Sequence, residues 1–578
     1  MDKKISIANR QVILNYNKAY PRNRESLLGS EGFRKFVTYF IAIVKDTDPH
    51  FYEYLTQGNT LTVDEAGKEF TDFLRILAVF RIDEIESPYL AERKTLLKIV
   101  EEIYRGWRSL QRFAFMDSSD SPDFGIDTLV HRDSNLNDLI LRTYRLFEEK
   151  IHARPNLVYR QVQAGTNACF SVHKNHEIWN NAYAQVRDVP VIDCVMLRTP
   201  MILHPKSSKR EGMFTETKVA PMTYLTVNPD EWFCFPCKVG RLLCYVYFNT
   251  KYTASALSLA NLFELATKEE SKKKPDLIVF FGNEDGKNAT EFFHDNLNDI
   301  WVGCISDHPR MEYFGYMKKM ILTLHNLKMM SEGWLPIHGA MINVYLKDGR
   351  KKGIMLMGDS GAGKSESIEA LKSAGKDYIK EVEVVFDDMG TIHLEDGVPY
   401  GQGTETGAFV RLDDLDPGTP YRDMDRSIFF APENPNSRMV LPASPYETVV
   451  SNHPIDLFAY ANNYTDELGL KELTVEELKD TCVAGKRMAL GTTQEVGIST
   501  TYFANPFGPM QRQDLCDPLI AEMFTALKDN GVYAGEIYTH LGFNKSERAG
   551  IDEAASQLLD YITRPDEEVV EETIEEAE

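Results

Sequence analysis

GIMLMGDSGAGKSESIEALKSAG, residues 353–375, decides how the chain is read. Ile354 to Met357 form a short apolar run suited to a buried strand, and the residues after Lys364 have helical spacing and reach a glycine at 375. Between them, Gly358 to Ser365 fit G-x-x-x-x-G-K-[ST]. Glycines at 358, 361 and 363 let the backbone curl so that several N–H groups face one anion at the positive end of the following helix. The nucleotide-binding residues predicted here are Gly358, Asp359, Ser360, Gly361, Ala362, Gly363, Lys364 and Ser365. Lys364 would bridge terminal phosphates, and the Ser365 hydroxyl would ligate Mg²⁺. The plainer alternative is a glycine-rich turn that happens to contain GKS.

Downstream, VEVVFDDMG places Asp387 and Asp388 at the end of an apolar run. Adjacent strands of such a fold end at the same edge, so an acid there can hold metal beside the phosphates; the competing reading is a turn former. Upstream, His338 opens the strand-like HGAMINVYL, as a metal ligand or as a structural histidine. Further upstream, Lys318 and Lys319 lie in EYFGYMKKMILTLHNL, whose apolar residues recur at helical spacing. On spacing alone they read as a solvated pair. The alternative is a basic group turned toward an anionic substrate, with an amine of lowered pKa able to ligate metal.

Around this centre the texture changes along the chain. Residues 1–150 are rich in helix-like spacing (FRKFVTYFIAIVKD, EFTDFLRILAVFRIDEI, LNDLILRTYRLFEEKI) and predict a helical N-terminal region. Residues 151–335 alternate β-branched and aromatic runs such as VPVIDCVML and RLLCYVYFN with helical stretches, which predicts a mixed α/β domain. Residues 336–564 hold the phosphate loop, with TDELGLKELTVEELKD expected as a surface helix or insertion; 565–578 form an acidic, solvated tail.

A chain of 578 residues with 43% hydrophobic and 26% charged residues has the make-up of a globular protein of several packed units. Its 64 basic and 87 acidic residues leave −23, a field that repels phosphate backbones and anionic membranes, so neither nucleic acid nor a membrane is an expected partner. Any anionic small-molecule substrate needs a locally basic pocket. No apolar leader or spanning run of about 18 residues is visible, and eight cysteines are too sparse for a disulfide scaffold, so a cytoplasmic protein with reduced thiols is expected. The CxxC of Cys234 and Cys237 reads as thiols packed in a sheet, with a zinc or redox role the lesser alternative.

Several segments, in order, resemble phosphoenolpyruvate carboxykinases. Tyr313-Phe-Gly-Tyr-Met-Lys318-Lys319 is similar to that family's YxGEMKK, His338 to the histidine opening its next strand, Gly358 to Ser365 to its kinase loop, and Phe386-Asp387-Asp388 to its second metal motif. Asn436-Ser437-Arg438 resembles its NTRxxYP segment, Ala504 to Pro509 (ANPFGP) its CFGxPF segment, and KPDLIVFFGN, from Lys274, a strand of its N-terminal domain. The likeness spans about residues 150–545 and leaves the first 150 outside it. IHGAMINVYL, GIMLMGDSGAGKSE and FDD resemble HPr kinase/phosphorylase equally well; the flanking Tyr313, Lys318, Lys319 and Arg438 favour the carboxykinase. Departures are Tyr316 for the family's glutamate, Ser365 for its usual threonine, and Val496 where ATP-dependent relatives place an adenine-contacting arginine.

The resemblance implies an α/β fold of two-domain carboxykinase-like architecture with a P-loop nucleotide-binding C-terminal domain, here carrying a helical N-terminal extension. It implies conversion of oxaloacetate to phosphoenolpyruvate with ATP or another nucleotide, Mn²⁺ and Mg²⁺. Lys318, Lys319, Lys364, Asp387 and Arg438 are then catalytic, and Lys319, His338, Asp388 and Ser365 hold metal. Tyr313 and Arg438 bind substrate with an N-terminal arginine, Arg160 by approximate spacing or else Arg198. The alternatives are a P-loop kinase acting on a small-molecule or protein hydroxyl, with Asp387 or Asp388 as general base, and a nucleotide-gated scaffold. Oligomeric state and the choice among ATP, GTP and pyrophosphate stay open.

Overall fold

The computed structural model describes residues 5–8, 11–16, 20–115, 126–160, 167–173, 181–358, 361–412, 424–432, 436–490, 496–543 and 549–564. Met1–Asn156 and Leu157–Glu578 form two compact units. Among the described residues, no helix is long and apolar enough to cross a membrane.

The first unit is helical, as its spacing predicts. Its longer helices are Glu31–Thr47, Val63–Val79, Arg93–Ser109 and Ile126–His152. Local chemistry sets their starts. Ser30 accepts from the Phe33 amide, and Thr62 and Glu65 close a reciprocal capping box. Phe36, Val37, Phe40, Ile41 and Val44 make one apolar stripe, and it is buried. A three-stranded sheet joins the helices: Ile5–Ala8 runs antiparallel to Gln11–Asn15, which pairs parallel with Gln111–Phe115. Spacing missed it because each strand is four or five residues long and the third comes from nearly a hundred residues further along.

The second unit is mixed α/β. Its ten-stranded sheet is drawn from residues between Val158 and Ser306, its eight-stranded sheet from residues between Leu335 and Tyr538. Across the latter the order is His453–Pro454, Val398–Gly403, Ile379–Glu395, Leu335–Leu346, Lys351–Met357, Leu457–Asn462, Tyr533–Tyr538 and Gly469–Glu472. The Leu335–Leu346 strand is antiparallel to both its neighbours, whereas Lys351–Met357, Leu457–Asn462 and Tyr533–Tyr538 run parallel. The acidic stretch 465–480 supplies the edge strand Gly469–Glu472 as well as the start of the helix Val475–Ala484.

The helix Phe314–Ser331 packs on strands of both large sheets. Sixteen of its eighteen residues are buried, so it has no solvated face on which to put Lys318. The approach is close. A Cβ on Gly303, in the strand below, would lie 2.5 Å from Met320 Cγ, so glycine is what lets the helix settle onto that sheet. A smaller four-stranded sheet, Gly407–Arg411, Arg438–Pro442, Ile428–Phe430 and Met201–Leu203, combines a strand from early in the unit with three from late in it.

Candidate functional site

The phosphate loop leaves the strand Lys351–Met357 and enters the helix Lys364–Ala374, the strand-loop-helix order predicted. Gly361 and Gly363 have φ of 79° and 98°, and a Cβ on Gly363 would lie 2.6 Å from the Thr539 side chain. Neighbouring strands tie the curled backbone down: Asn463 donates to the Gly361 carbonyl at 3.0 Å and Thr539 to that of Ala362 at 2.8 Å. Lys364 is buried, and its Nζ donates to the Gly358 carbonyl at 2.8 Å. Asp359 and Ser360 lie outside the described residues.

Asp387 and Asp388 do not end a strand, as their apolar run suggested; they lie inside the seventeen-residue strand Ile379–Glu395. What brings them to the loop is register. Asp387 is opposite Ala340 and Asp388 opposite Gly339, and the Gly358 amide donates to the His338 carbonyl at 3.1 Å, so loop, histidine and acids meet around one strand. Ser365 Oγ donates to Asp387 at 2.9 Å.

Asp388 gathers the rest. Its Oδ2 accepts from Lys318 and, at 2.7 Å, from Lys319; its Oδ1 lies 3.2 Å from His338 Nε2. The buried carboxylate of Glu405, not singled out by sequence, stands 3.1 Å from Lys318. Burial alone would raise the Asp388 carboxyl, but the two ammonium groups outweigh it and hold Asp388 well below the usual carboxylate range. Burial likewise opposes the charge on Lys318, which Asp388 and Glu405 restore and raise. Lys319 is pushed down to about 8 by burial, with Asp388 resisting and Lys318 assisting. Burial pushes Glu405 up to about 7 and raises Asp387 against the Ser365 hydrogen bond.

The donor set suits a divalent cation. His338 Nδ1 is 2.8 Å from the Ala504 carbonyl, which only accepts, so Nδ1 carries a proton and Nε2, 3.2 Å from Asp388 Oδ1, is the ring nitrogen left to face a cation. An imidazole nitrogen and a carboxylate oxygen so placed are suited to share a cation, and an amine titrating near 8 can join as a neutral ligand. Among the described residues no group of three or more His, Cys, Asp and Glu side chains gathers for a metal.

Two rings flank these lysines. Phe409 lies under Lys318 Nζ (5.6 Å to the ring centroid) and Arg438 Cζ (5.5 Å), and Tyr313 packs against it at 6.2 Å. Arg438 Nε is buried without a hydrogen-bond partner among the described residues. Phe507, from the ANPFGP segment, carries Lys319 Nζ at 4.7 Å and Arg210 Cζ at 5.3 Å. Arg210 also lies over Phe214, donates to the Gly212 carbonyl, and has its charge disfavoured by burial.

The structure gives the two candidate N-terminal arginines these surroundings. Arg160 donates to Asn261 Oδ1 at 2.8 Å and to the Ala260 carbonyl at 2.9 Å, and Arg198 is exposed. Arg210 sits in a polar loop without periodicity, so nothing in its spacing singled it out. Tyr316, the departure from the family's glutamate, is buried; its hydroxyl accepts from the Glu211 amide at 2.9 Å and so steadies that loop. The Asn436 amide group fastens the same loop from the other side through the Ser208 carbonyl, at 2.5 Å. Val496 begins the strand Val496–Thr500, its side chain outside the described residues. Cys234 and Cys237 are buried in the strand Trp232–Val239, and burial pushes the Cys234 thiol well above its usual range. No protein-family model and no curated protein matches the chain.

Proposed function

We propose that the chain catalyses the reversible, nucleotide-dependent decarboxylation and phosphorylation of oxaloacetate to phosphoenolpyruvate. The observation that carries this reading is the convergence of Lys318, Lys319 and His338 on Asp388, one residue from an Asp387 tied to the phosphate loop through Ser365. Phosphoryl transfer alone needs the loop and an acid. A second, amine-rich cation site beside it is what a decarboxylation leaving an enolate requires.

Lys319, His338 and Asp388 are the residues suited to hold Mn²⁺, and Ser365 with Asp387 those suited to the nucleotide's Mg²⁺; bound, the two cations stabilise the charge left on the keto oxygen and neutralise the transferred phosphoryl group. Arg438 and Arg210, with no carboxylate partner among the described residues, are suited to clamp the substrate's carboxylates, Arg210 beside the Arg160 that spacing suggested. Lys318, kept charged by Asp388 and Glu405, steadies the enolate oxygen as it becomes the phosphoryl acceptor. Tyr313 packs beside departing carbon dioxide. Lys364 exchanges the Gly358 carbonyl for the β- and γ-phosphates. Phe409 and Phe507 keep water from the enolate, which would otherwise be protonated to pyruvate.

The test is an assay of the full chain with oxaloacetate, Mn²⁺, Mg²⁺ and ATP, GTP or pyrophosphate in turn, following phosphoenolpyruvate. Turnover with one donor is expected, and full activity in Lys319→Ala overturns the metal assignment. One observation favours the second reading: an Asp387 carboxyl raised by burial is suited to act as general base toward a hydroxyl acceptor. Nucleotide turnover that ignores oxaloacetate but responds to a hydroxyl-bearing metabolite or protein would select that kinase.

A further inference from the structure

The helical first unit holds a half-open pocket of about 380 Å³, lined by the helices Glu31–Thr47, Arg93–Ser109 and Ile126–His152 and by Ile5 and Leu14 of the small sheet. Protein interiors are packed nearly to crystal density, so an unfilled apolar recess forfeits contacts that a bound molecule could supply. One of this size falls in the range of small-molecule pockets.

The walls are aromatic and held in place. Tyr104 and Tyr144 stack at 4.1 Å and 10°, and Phe36 meets Trp107 edge-on at 5.4 Å. The polar groups of the lining are largely committed to the protein itself. Ser26 Oγ receives the Arg22 and Asn23 amides and donates to the Asn23 carbonyl. Ser30 Oγ receives the Phe33 amide and donates to the Leu27 carbonyl, and Thr143 donates to the Leu139 carbonyl. The Tyr144 hydroxyl is directed at the carboxylates of Glu101 and Glu148. Glu31 is the one charged side chain among the described lining residues, and Lys35 neutralises it at 2.7 Å.

Among the described lining residues there is no cation for a phosphorylated or carboxylated ligand, and a sugar would lose its hydration with few groups to replace it. We infer that the first unit binds an uncharged, predominantly apolar small molecule between the Tyr104–Tyr144 stack and the Phe36–Trp107 pair. A hydrocarbon chain and a fused ring share that chemistry.

The test titrates the full chain with 1-N-phenylnaphthylamine, an uncharged fluorophore that brightens in apolar surroundings. A saturable rise at a single site per chain is expected, reversed by 1-decanol if the walls prefer a chain or by 2-naphthol if they prefer a ring. Val100→Phe and Ile140→Trp, which add volume to the lining, should each weaken the fluorophore by about tenfold or more while leaving the circular dichroism unchanged; with two such variants, one that fails to fold leaves the other to decide. Absence of saturable binding, failure of both competitors, or undiminished affinity in a folded filled variant overturns the inference.

Discussion

Asp387 and Asp388 are neighbours on one strand, yet the regions on its two sides make different groups of them. Successive side chains of a strand point to opposite faces. On one side Asp387 meets the exposed Ser365 at the start of the phosphate-loop helix, and burial raises its carboxyl with only a hydroxyl and the more distant lysines to oppose it. On the other side Asp388 meets the buried helix Phe314–Ser331 and two ammonium groups, and its carboxyl falls well below the usual range. Nearest-neighbour charge, rather than depth alone, decides the direction in which each carboxyl moves. The same strand thereby offers one acid suited to exchange a proton or a water and another fixed as an anion.

The sharpest way to break this contrast is to empty the buried side. Lys318→Met leaves Asp388 and Glu405 facing each other across an apolar chain and should cost about 3–5 kcal/mol in chemical denaturation. Were it neutral, the low carboxyl of Asp388 would have another source. Asp388→Asn keeps the shape but removes the anion, and should lower phosphoenolpyruvate formation by about 10²–10³ while nucleotide affinity, read by calorimetry, stays near its starting value. Asp387→Asn should do the reverse, weakening Mg²⁺–nucleotide binding by about 10–100-fold. Equal effects of the two asparagines on both readouts would erase the distinction.

A smaller signature lies in pH. Glu405 holds its proton up to about 7 in the folded chain, against an ordinary value of 4.5 when unfolded. Between these values the native state binds more protons, so this group's contribution to stability is full below 4.5 and is lost as pH rises toward 7. Glu405→Gln should flatten the fall in unfolding free energy across that window, by at most about 1 kcal/mol per pH unit.

Much of the local structure was legible in the sequence. The run Ile354–Met357, the glycines of the loop and the amphipathic N-terminal helices follow from short-range rules, and the chain obeys them. Lys318 illustrates what such rules miss. Apolar spacing on its helix suggested a solvated flank, but the flank is covered by a second sheet whose strands lie far away in sequence. The positions of Asp387 and Asp388 depend on a register with Leu335–Leu346 that no local pattern records. Arg210, Glu405 and Phe507 escaped because single polar or aromatic residues in loops carry no period; only the collinear likeness around ANPFGP pointed near one of them.

The four-stranded sheet has a consequence for how this chain can be cut. Met201–Leu203 pairs parallel with Ile428–Phe430, across more than two hundred residues of intervening sequence. A fragment ending before Leu335 would display an unpaired strand edge and release the loop that carries Arg210. Co-expressed halves split near residue 334 should therefore reassemble on each other rather than stand alone, and any ancestral shuffling of this unit would have had to carry both halves together.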